Sequence, residues 1–432
     1  MNEMIESMLN NKKGIPSGIY SVCCAHPLVI EAALLQGLAD DSPVLIEATA
    51  NQVNQFGGYT NMLPADFVSF VHDIAVKVNY PTDRIILGGD HLGPTCWTKE
   101  PAAEAMEKSK KLIETYVAAG FKKIHLDTSM QCADDTLPLS DETVAKRAAM
   151  LCQVAEQTAI RQFGKSDIIY IVGTEVPPPG GAKEEIDTLE VTPVENVNET
   201  LSVHAKIFAE QGLHDAWSRV IGLVVQPGVE FDNFTVFEYD SSKAQALKNF
   251  AANTAGLVFE AHSTDYQPAE AYKALVRDHF AILKVGPQLT FALREALFAL
   301  SFIEQELVAP DAQSQLREVC EQVMLNEKGG WESFYPQDQQ NLAVYRRYSF
   351  SDRIRYYWNN EQIQTAVTKL FANLSAIDMP LPLISQFMPS QYDAVIAKKL
   401  DNAPKALVLN KIMQVTQLYA DACYFQTKQR VK

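Results

Sequence analysis

The feature that most constrains this chain is a recurrence: eight short apolar runs, each followed by a longer amphipathic stretch. The runs are Gly18–Cys24, Val44–Thr49, Ile85–Asp90, Lys123–Asp127, Ile168–Thr174, Val220–Val225, Gly256–Ala261 and Phe280–Val285. Each is almost continuously apolar rather than alternating, the pattern of parallel strands covered on both faces. Between and after them lie Pro27–Leu38, Pro64–Val78, Ala102–Ala119, Ser140–Phe163, Pro193–Gln211, Ser241–Ala252, Pro268–Arg277 and Gln288–Leu307, all with helical periodicity. Several open on helix start signals, such as Pro64-Ala-Asp66, Ser140-Asp-Glu142 and Thr192-Pro-Val-Glu195. Eight strand–helix units predict an α/β fold closed as a (β/α)8 barrel, the TIM-barrel arrangement, over residues 1–309. An open doubly wound sheet would normally show a Gly-rich fingerprint after its first strand, and none is present.

After Pro310 the β/α rhythm stops. Helical segments at Gln313–Asn326, Ser351–Trp358, Glu361–Leu374, Ser390–Asp401 and Lys405–Gln426, with an aromatic and polar loop at Gly329–Tyr345, predict a helical C-terminal region over 310–432 packed on the barrel.

Charge excludes whole classes of partner. Lys and Arg number 37 against 53 Asp and Glu, a formal net charge of −16. That balance repels phosphate backbones and anionic lipid, so neither nucleic acid nor membrane is an expected partner. With 47% hydrophobic and 21% charged residues the chain supports a large core rather than disorder. Seven cysteines without a Cys-x-x-Cys pair read as reduced, mostly buried thiols. The segment Met1–Lys13 lacks the apolar stretch of a signal peptide and no run approaches a membrane span, so a cytoplasmic location is expected. Gly164-Lys165-Ser166 resembles the end of a nucleotide phosphate loop, but the glycine this motif needs falls at Ala159, which argues against a kinase.

In a barrel, chemistry gathers at the C-terminal ends of the strands. Acids or histidines recur at seven of the eight predicted ends, and convergence there is the main functional signal. Asp90 is an expected acid/base, and Glu175 a second catalytic carboxylate. His91 and His262, with Gln226 and Glu260, offer nitrogen and oxygen ligands for a divalent metal, zinc or similar. Such an ion would polarise a sugar carbonyl. The alternative is that both histidines only hydrogen-bond at the barrel mouth. Because neighbouring strand residues face opposite ways, Asp90 and His91 both point inward only if the chain turns there, which Gly93-Pro94 would allow. His26, Glu47, Asn51, Asp127, Ser263, Asp265 and Lys284 are expected to bind substrate. Lys284 is read as a buried cation paired with an acid such as Asp127 or Glu175, ahead of a Schiff-base role. Ser263-Thr264 and Gly286-Pro287, with Arg294, suit either a phosphate site or ordinary helix capping. The mixed cationic and aromatic stretch Arg353–Trp358 reads as a packed or subunit-contacting helix.

Long strings carry a family resemblance: Ser21-Val-Cys-Cys-Ala-His26-Pro, Leu45-Ile-Glu-Ala-Thr-Ala-Asn51-Gln, Gly88-Gly-Asp-His-Leu-Gly-Pro94, Val225-Gln-Pro-Gly-Val-Glu-Phe231, Glu260-Ala-His-Ser-Thr-Asp-Tyr266, Asp278-His-Phe-Ala-Ile-Leu-Lys-Val-Gly286 and Ser351-Asp-Arg-Ile-Arg-Tyr-Tyr-Trp358. Across almost the whole chain these resemble the Z-type (GatZ/KbaZ-like) subunit family of D-tagatose-1,6-bisphosphate aldolase, once labelled tagatose-6-phosphate kinase. The resemblance implies a class II aldolase-like barrel working in galactitol, N-acetylgalactosamine or tagatose catabolism. It implies a subunit without aldolase activity of its own, supporting a catalytic Y-type zinc aldolase. The alternative it implies is a metal-dependent ketose 4-epimerase or aldolase acting on a ketose or ketose phosphate. Compared strand by strand with a zinc aldolase, Asp90-His91 matches its Asp-His, while its strand-six histidine falls near Gln226 and its strand-seven histidine is shifted to His262. Self-association into a homo-oligomer is compatible with either reading.

Overall fold

The computed structural model describes residues 2–173, 189–336 and 340–424. Among the described residues ten strands form: β1 (Ile19–Val22), β2 (Val44–Thr49), β3 (Ile85–Leu92), β4 (Lys123–Leu126), β5 (Ile169–Val172), β6 (Val220–Val224), β7 (Glu230–Phe231), β8 (Val236–Phe237), β9 (Val258–Ala261) and β10 (Phe280–Val285). Eight of them close into a barrel in the order β1-β10-β9-β6-β5-β4-β3-β2, and every barrel pairing is parallel. The predicted closed barrel is therefore the fold. Strands β7 and β8 form a short antiparallel hairpin in the loop after β6, which the sequence did not predict. Two residues per strand are too few to show a period.

The strands look continuously apolar because helices cover their outer faces, yet the inner faces change character along each strand. Low in the barrel, Ile19, Leu45, Ile86, Ile169, Val258 and Ile282 form an apolar cluster. Met4 and Met8 close it from below, carried by a helix at Asn2–Lys12 that the sequence reading did not foresee. Two residues further along the same inner faces, Leu45 gives way to Glu47, Val258 to Glu260 and Ile282 to Lys284. The period of two keeps each successor on the same side of the sheet. The barrel is thus oil-filled at one end and ionic at the other.

The helix Pro404–Cys423 runs beside β1, whose preceding Gly18 N–H donates to Cys423 O at 3.1 Å. Tyr419 on that helix lies 4.2 Å from Tyr272 and 5.9 Å from Tyr20 between ring centroids. The predicted helix at Ser351–Trp358 is instead a short 3-10 turn, Arg353–Tyr356. Asp352 stops it from being longer: its backbone is left-handed, φ 43°, and its carboxylate takes Arg294 Nε at 3.1 Å and the Thr290 hydroxyl at 2.7 Å. This anchor ties the turn to the long helix Pro287–Leu307 and carries it over the ionic end of the barrel.

A candidate metal and acid–base site at the barrel mouth

Glu47 (β2), Lys123 (β4), Glu260 (β9) and Lys284 (β10) meet inside the barrel, all buried. Lys123 Nζ lies 2.6 Å from Glu47 and 2.7 Å from Glu260. Lys284 Nζ lies 2.6 Å from Glu47, 3.1 Å from Asp90 and 4.0 Å from Glu260. The expected partners of Lys284 are thereby corrected: Glu47 and Asp90 replace Asp127, and Glu175 lies outside the described residues. Gly88 makes room for this crowding, since a Cβ there would stand 2.6 Å from Glu47 Cγ. Burial works against the Lys284 charge, but Asp90 and Glu47 outweigh it and hold the ammonium firmly protonated. A Schiff base needs a neutral amine, so the covalent role does not suit this lysine.

Above this floor stand three histidines. Their ring centroids are separated by 5.1 Å (His91–His125), 4.9 Å (His91–His262) and 5.4 Å (His125–His262). The turn that lets Asp90 and His91 both face inward sits at His91 itself, whose φ is 49°, and the β3–β4 register slips between Gly89 and Leu92. A non-glycine residue in the left-handed region costs energy that surrounding contacts must offset, and such positions concentrate at functional sites. Ser263, at the same mouth, also has a positive φ, 50°.

Two pairings divide the labour. His91 Nδ1 is 2.6 Å from Asp127 Oδ2, and Asp127 Oδ1 accepts from the Ser129 hydroxyl at 3.1 Å. Burial lowers the His91 pKa, but Asp90 and Asp127 outweigh it and raise it overall. Burial likewise opposes ionisation of Asp90, yet His91 and Lys284 keep its carboxyl well below the usual range. His262 Nε2 donates to Glu260 Oε1 at 2.9 Å, and burial brings the His262 pKa down to about 4, so it is a neutral imidazole at neutral pH.

Asp90, His125, Glu260 and His262 each present a donor atom, all within 4.8 Å of one another. Two observations fit a divalent cation to this set. His125 Nε2 donates to the Gly173 carbonyl at 3.0 Å, and its Nδ1 faces Asp90 Oδ1, also at 3.0 Å. Nδ1 also takes the His91 N–H at 3.3 Å, and the space between it and the Asp90 carboxylate suits a proton or a cation. Among the described residues, the four carboxylates Glu47, Asp90, Asp127 and Glu260 face two ammonium groups, Lys123 and Lys284, which leaves two negative charges for the histidines or a cation to offset. Mixed imidazole and carboxylate donors suit zinc or a neighbouring transition metal.

The expected metal set was His91, Gln226, Glu260 and His262. The structure keeps Glu260 and His262 in the four-donor cluster and brings Asp90 and His125 into it. Gln226 is drawn elsewhere: its side-chain carbonyl accepts the N–H groups of Gly228 at 2.8 Å and Val229 at 2.9 Å, shaping its own loop. His91 turns its Nδ1 to Asp127 instead. Of the expected substrate residues, Asn51, Ser263, Asp265 and Lys284 line the mouth cavity with Asp90, His91 and His262. Glu47 lies in the floor beneath it. His26 caps the helix Pro27–Asp40 through Nδ1, 3.3 Å from Leu28 N, and lines an adjoining pocket. Asp265 Oδ1 takes the N–H groups of Gly286 and Gln288 at 3.1 and 2.8 Å, and Arg294 is buried on Asp352. Capping, not phosphate binding, therefore occupies that helix start.

Sequence reasoning passed over His125 and Lys123. The rule that inner-face residues alternate would have flagged both, since His125 is two residues before Asp127 and Lys123 two before that. It also missed Arg355 and Tyr356, which line the cavity from the C-terminal region. No helix among the described residues is long and apolar enough to cross a membrane. All seven cysteines are free, and five are buried.

A solved structure described as a probable tagatose 6 phosphate kinase from Sinorhizobium meliloti 1021 is 47% identical, covering 94% of this chain and 100% of its own, with a TM-score of 0.87. The YdjI aldolase from Escherichia coli K12 is 13% identical over 86% of this chain and 96% of that one, with a TM-score of 0.41. A fructose-bisphosphate aldolase from Campylobacter jejuni is 13% identical over 88% and 95%, with a TM-score of 0.43. A family model described as D-tagatose-1,6-bisphosphate aldolase subunit GatZ/KbaZ-like matches residues 3–424, and the chain belongs to that family.

Proposed function

We propose that this chain is a metal-dependent catalyst of reversible carbon–carbon cleavage on a tagatose-type ketose or its phosphate, giving aldol products or the C4 epimer. The observation that carries this reading is the four-donor cluster of Asp90, His125, Glu260 and His262 beside a His91–Asp127 pair. When bound, a divalent ion supplies Lewis-acid polarisation of the ketose oxygens. Asp127 fixes His91 with Nδ1 protonated, leaving Nε2 to take the proton of the C4 hydroxyl. The C3–C4 bond breaks, C4 becomes an aldehyde, and the electron pair stays on the other half as an enediolate. Lys284, charged in the floor, stabilises the negative charge that develops above it. Return of the same carbons on the opposite aldehyde face, with His91 giving its proton back to the C4 oxygen, yields the epimer; transfer of that proton to C3 of the enediolate instead, followed by release, yields the aldol products.

The test is elemental analysis of the purified chain, with fructose/tagatose interconversion and ketose bisphosphate cleavage followed before and after chelation. Metal bound near one equivalent, with activity lost on chelation and restored on reloading, is expected. Activity indifferent to metal, or no turnover in the reloaded protein, overturns the reading.

A second reading is a partner subunit that supports a catalytic Y-type aldolase. What favours it is Gln226, which stands where a zinc aldolase carries a strand-six histidine and whose oxygen is spent on its own loop. Co-purification decides it: a Y-type aldolase whose solubility and rate are unchanged by this chain argues against a supporting role.

A further inference from the structure

Behind the wall of the mouth cavity lies a carboxyl that the chemistry above does not use. Glu230, in β7, is fully buried. Its Oε1 accepts the Phe231 N–H at 3.0 Å, while among the described residues no N–H or cation reaches its Oε2. The loop after β9 sets the Ser263 hydroxyl against this carboxyl. The charges bearing on it are Asp265 from the same loop and Asp232 from its own hairpin, both negative. β8 opposes it with apolar Phe237, and Arg355 on the same wall bears on Asp265. Burial, and then the two aspartates, therefore keep Glu230 protonated until about pH 8.

That proton decides which way a hydrogen bond runs. A carboxylate would take the Ser263 hydrogen for itself. A neutral acid gives its own instead, from Oε2, because Oε1 already accepts. The Ser263 hydrogen is then free for the cavity, which this half-buried residue lines. Its left-handed backbone, φ 50°, is the kind of strained position that collects at functional sites. Ser263 follows β9 and His91 lies on β3, strands four places apart in the ring of eight and so on opposite sides of the mouth. A ligand that gives a hydroxyl proton to His91 presents its far oxygens to Ser263.

We propose that Glu230 is a positioning residue: as a neutral acid it donates to Ser263, whose hydroxyl in turn donates to the enediolate oxygen across the cavity from His91. The inference rests on the carbon–carbon cleavage reading above and adds to it the group that steadies charge on the far side. Glu230 transfers no proton. It orients the Ser263 hydroxyl and polarises it, since each hydrogen bond in a chain strengthens the next.

Two measurements on the full chain test this, and the first needs no turnover. The infrared difference between the unaltered chain and Glu230→Gln at neutral pH is expected to show the carbonyl stretch of a neutral carboxyl. Ser263→Ala is expected to shift that band by removing its hydrogen-bond partner. A missing band, or one that Ser263→Ala leaves in place, overturns the proposal. In turnover, Glu230→Ala is expected to lower kcat about 10- to 100-fold with KM little changed, the worth of one hydrogen bond to a charged group. Glu230→Gln, whose amide donates to Ser263 without titrating, is expected to recover most of that loss and to lack an alkaline fall near pH 8. An unchanged rate in Glu230→Ala, or the same alkaline fall in Glu230→Gln, overturns the proposal. Should Glu230→Ala fail to fold, Ser263→Ala replaces it in the rate comparison, and an unchanged rate there overturns the proposal equally. A chain that turns nothing over sinks the parent reading alone, and the infrared band then decides whether Glu230 orients Ser263.

Discussion

His91 and Asp127 sit 2.6 Å apart at the ends of adjacent strands, both shut off from water, and each shifts the other's protonation. Their geometry favours a proton on Nδ1 of an imidazole that lines the cavity, with its other nitrogen, Nε2, 3.7 Å from Asp90 Oδ2. Asp127→Asn keeps the shape and removes the charge. Turnover is expected to fall about 10²- to 10⁴-fold, the range for a mispositioned general base, with ketose affinity little changed. Rates beside melting curves check it; an unchanged rate assigns the pair a structural role only.

Lys284 is expected to resist reductive trapping. Its ammonium is gripped by Glu47 at 2.6 Å and Asp90 at 3.1 Å and stays protonated. Borohydride added with a ketose should leave the mass of the peptide containing Lys284 unchanged.

The floor is an ion network in which each member depends on the rest. Lys123→Met leaves Glu47 and Glu260 without one of their cations in a dry interior, and losing one partner of a buried pair costs about 3–5 kcal/mol. Urea unfolding should show that loss, with part of it recovered when Glu260→Gln is added, because the second change removes a stranded charge.

Stability should respond to pH from both sides. Burial holds His26 down to a pKa of about 3, so the folded chain keeps it neutral while the unfolded chain protonates it below about 6.5. Its contribution is complete above that value and is lost as pH falls toward 3. Partial exposure limits it to about 1–2 kcal/mol. His26→Asn, which caps without titrating there, should flatten the acid limb. Glu230 has the opposite sign: burial raises its carboxyl to about 8. Its contribution is complete below the unfolded value near 4.3 and is lost as pH climbs through 8. Glu230→Gln should remove that alkaline loss, read as melting temperature against pH.

The N-terminal helix should prove part of the barrel core. Met4 is fully buried beneath the strands, whereas Leu9 on the same helix is 48% exposed. Met4→Ala is expected to cost about 2–5 kcal/mol, and Leu9→Ala within about 0.5 kcal/mol of nothing. Equal effects of the two would show that the helix does not plug the barrel.

The chain's own residues determined the barrel. Val44–Thr49 and Phe280–Val285 form strands over the very ranges that their apolar runs predict, because a strand covered on both faces has to be apolar throughout. Clustering at the mouth was legible for the same reason: polar residues that end such runs share one end of a closed ring. Which of them touch was not. Lys123 opens its predicted strand and had no assigned role, but the barrel's stagger sets it level with Gly88, and Gly88 level with Glu47. Gln226 looked like a ligand until its loop took its oxygen. Arg355 lies 71 residues beyond Lys284, and the Asp352 anchor on Arg294 swings it over the mouth. Local sequence carries period and propensity; register and long-range anchoring are settled by how the whole chain closes, and those two decide which charges meet.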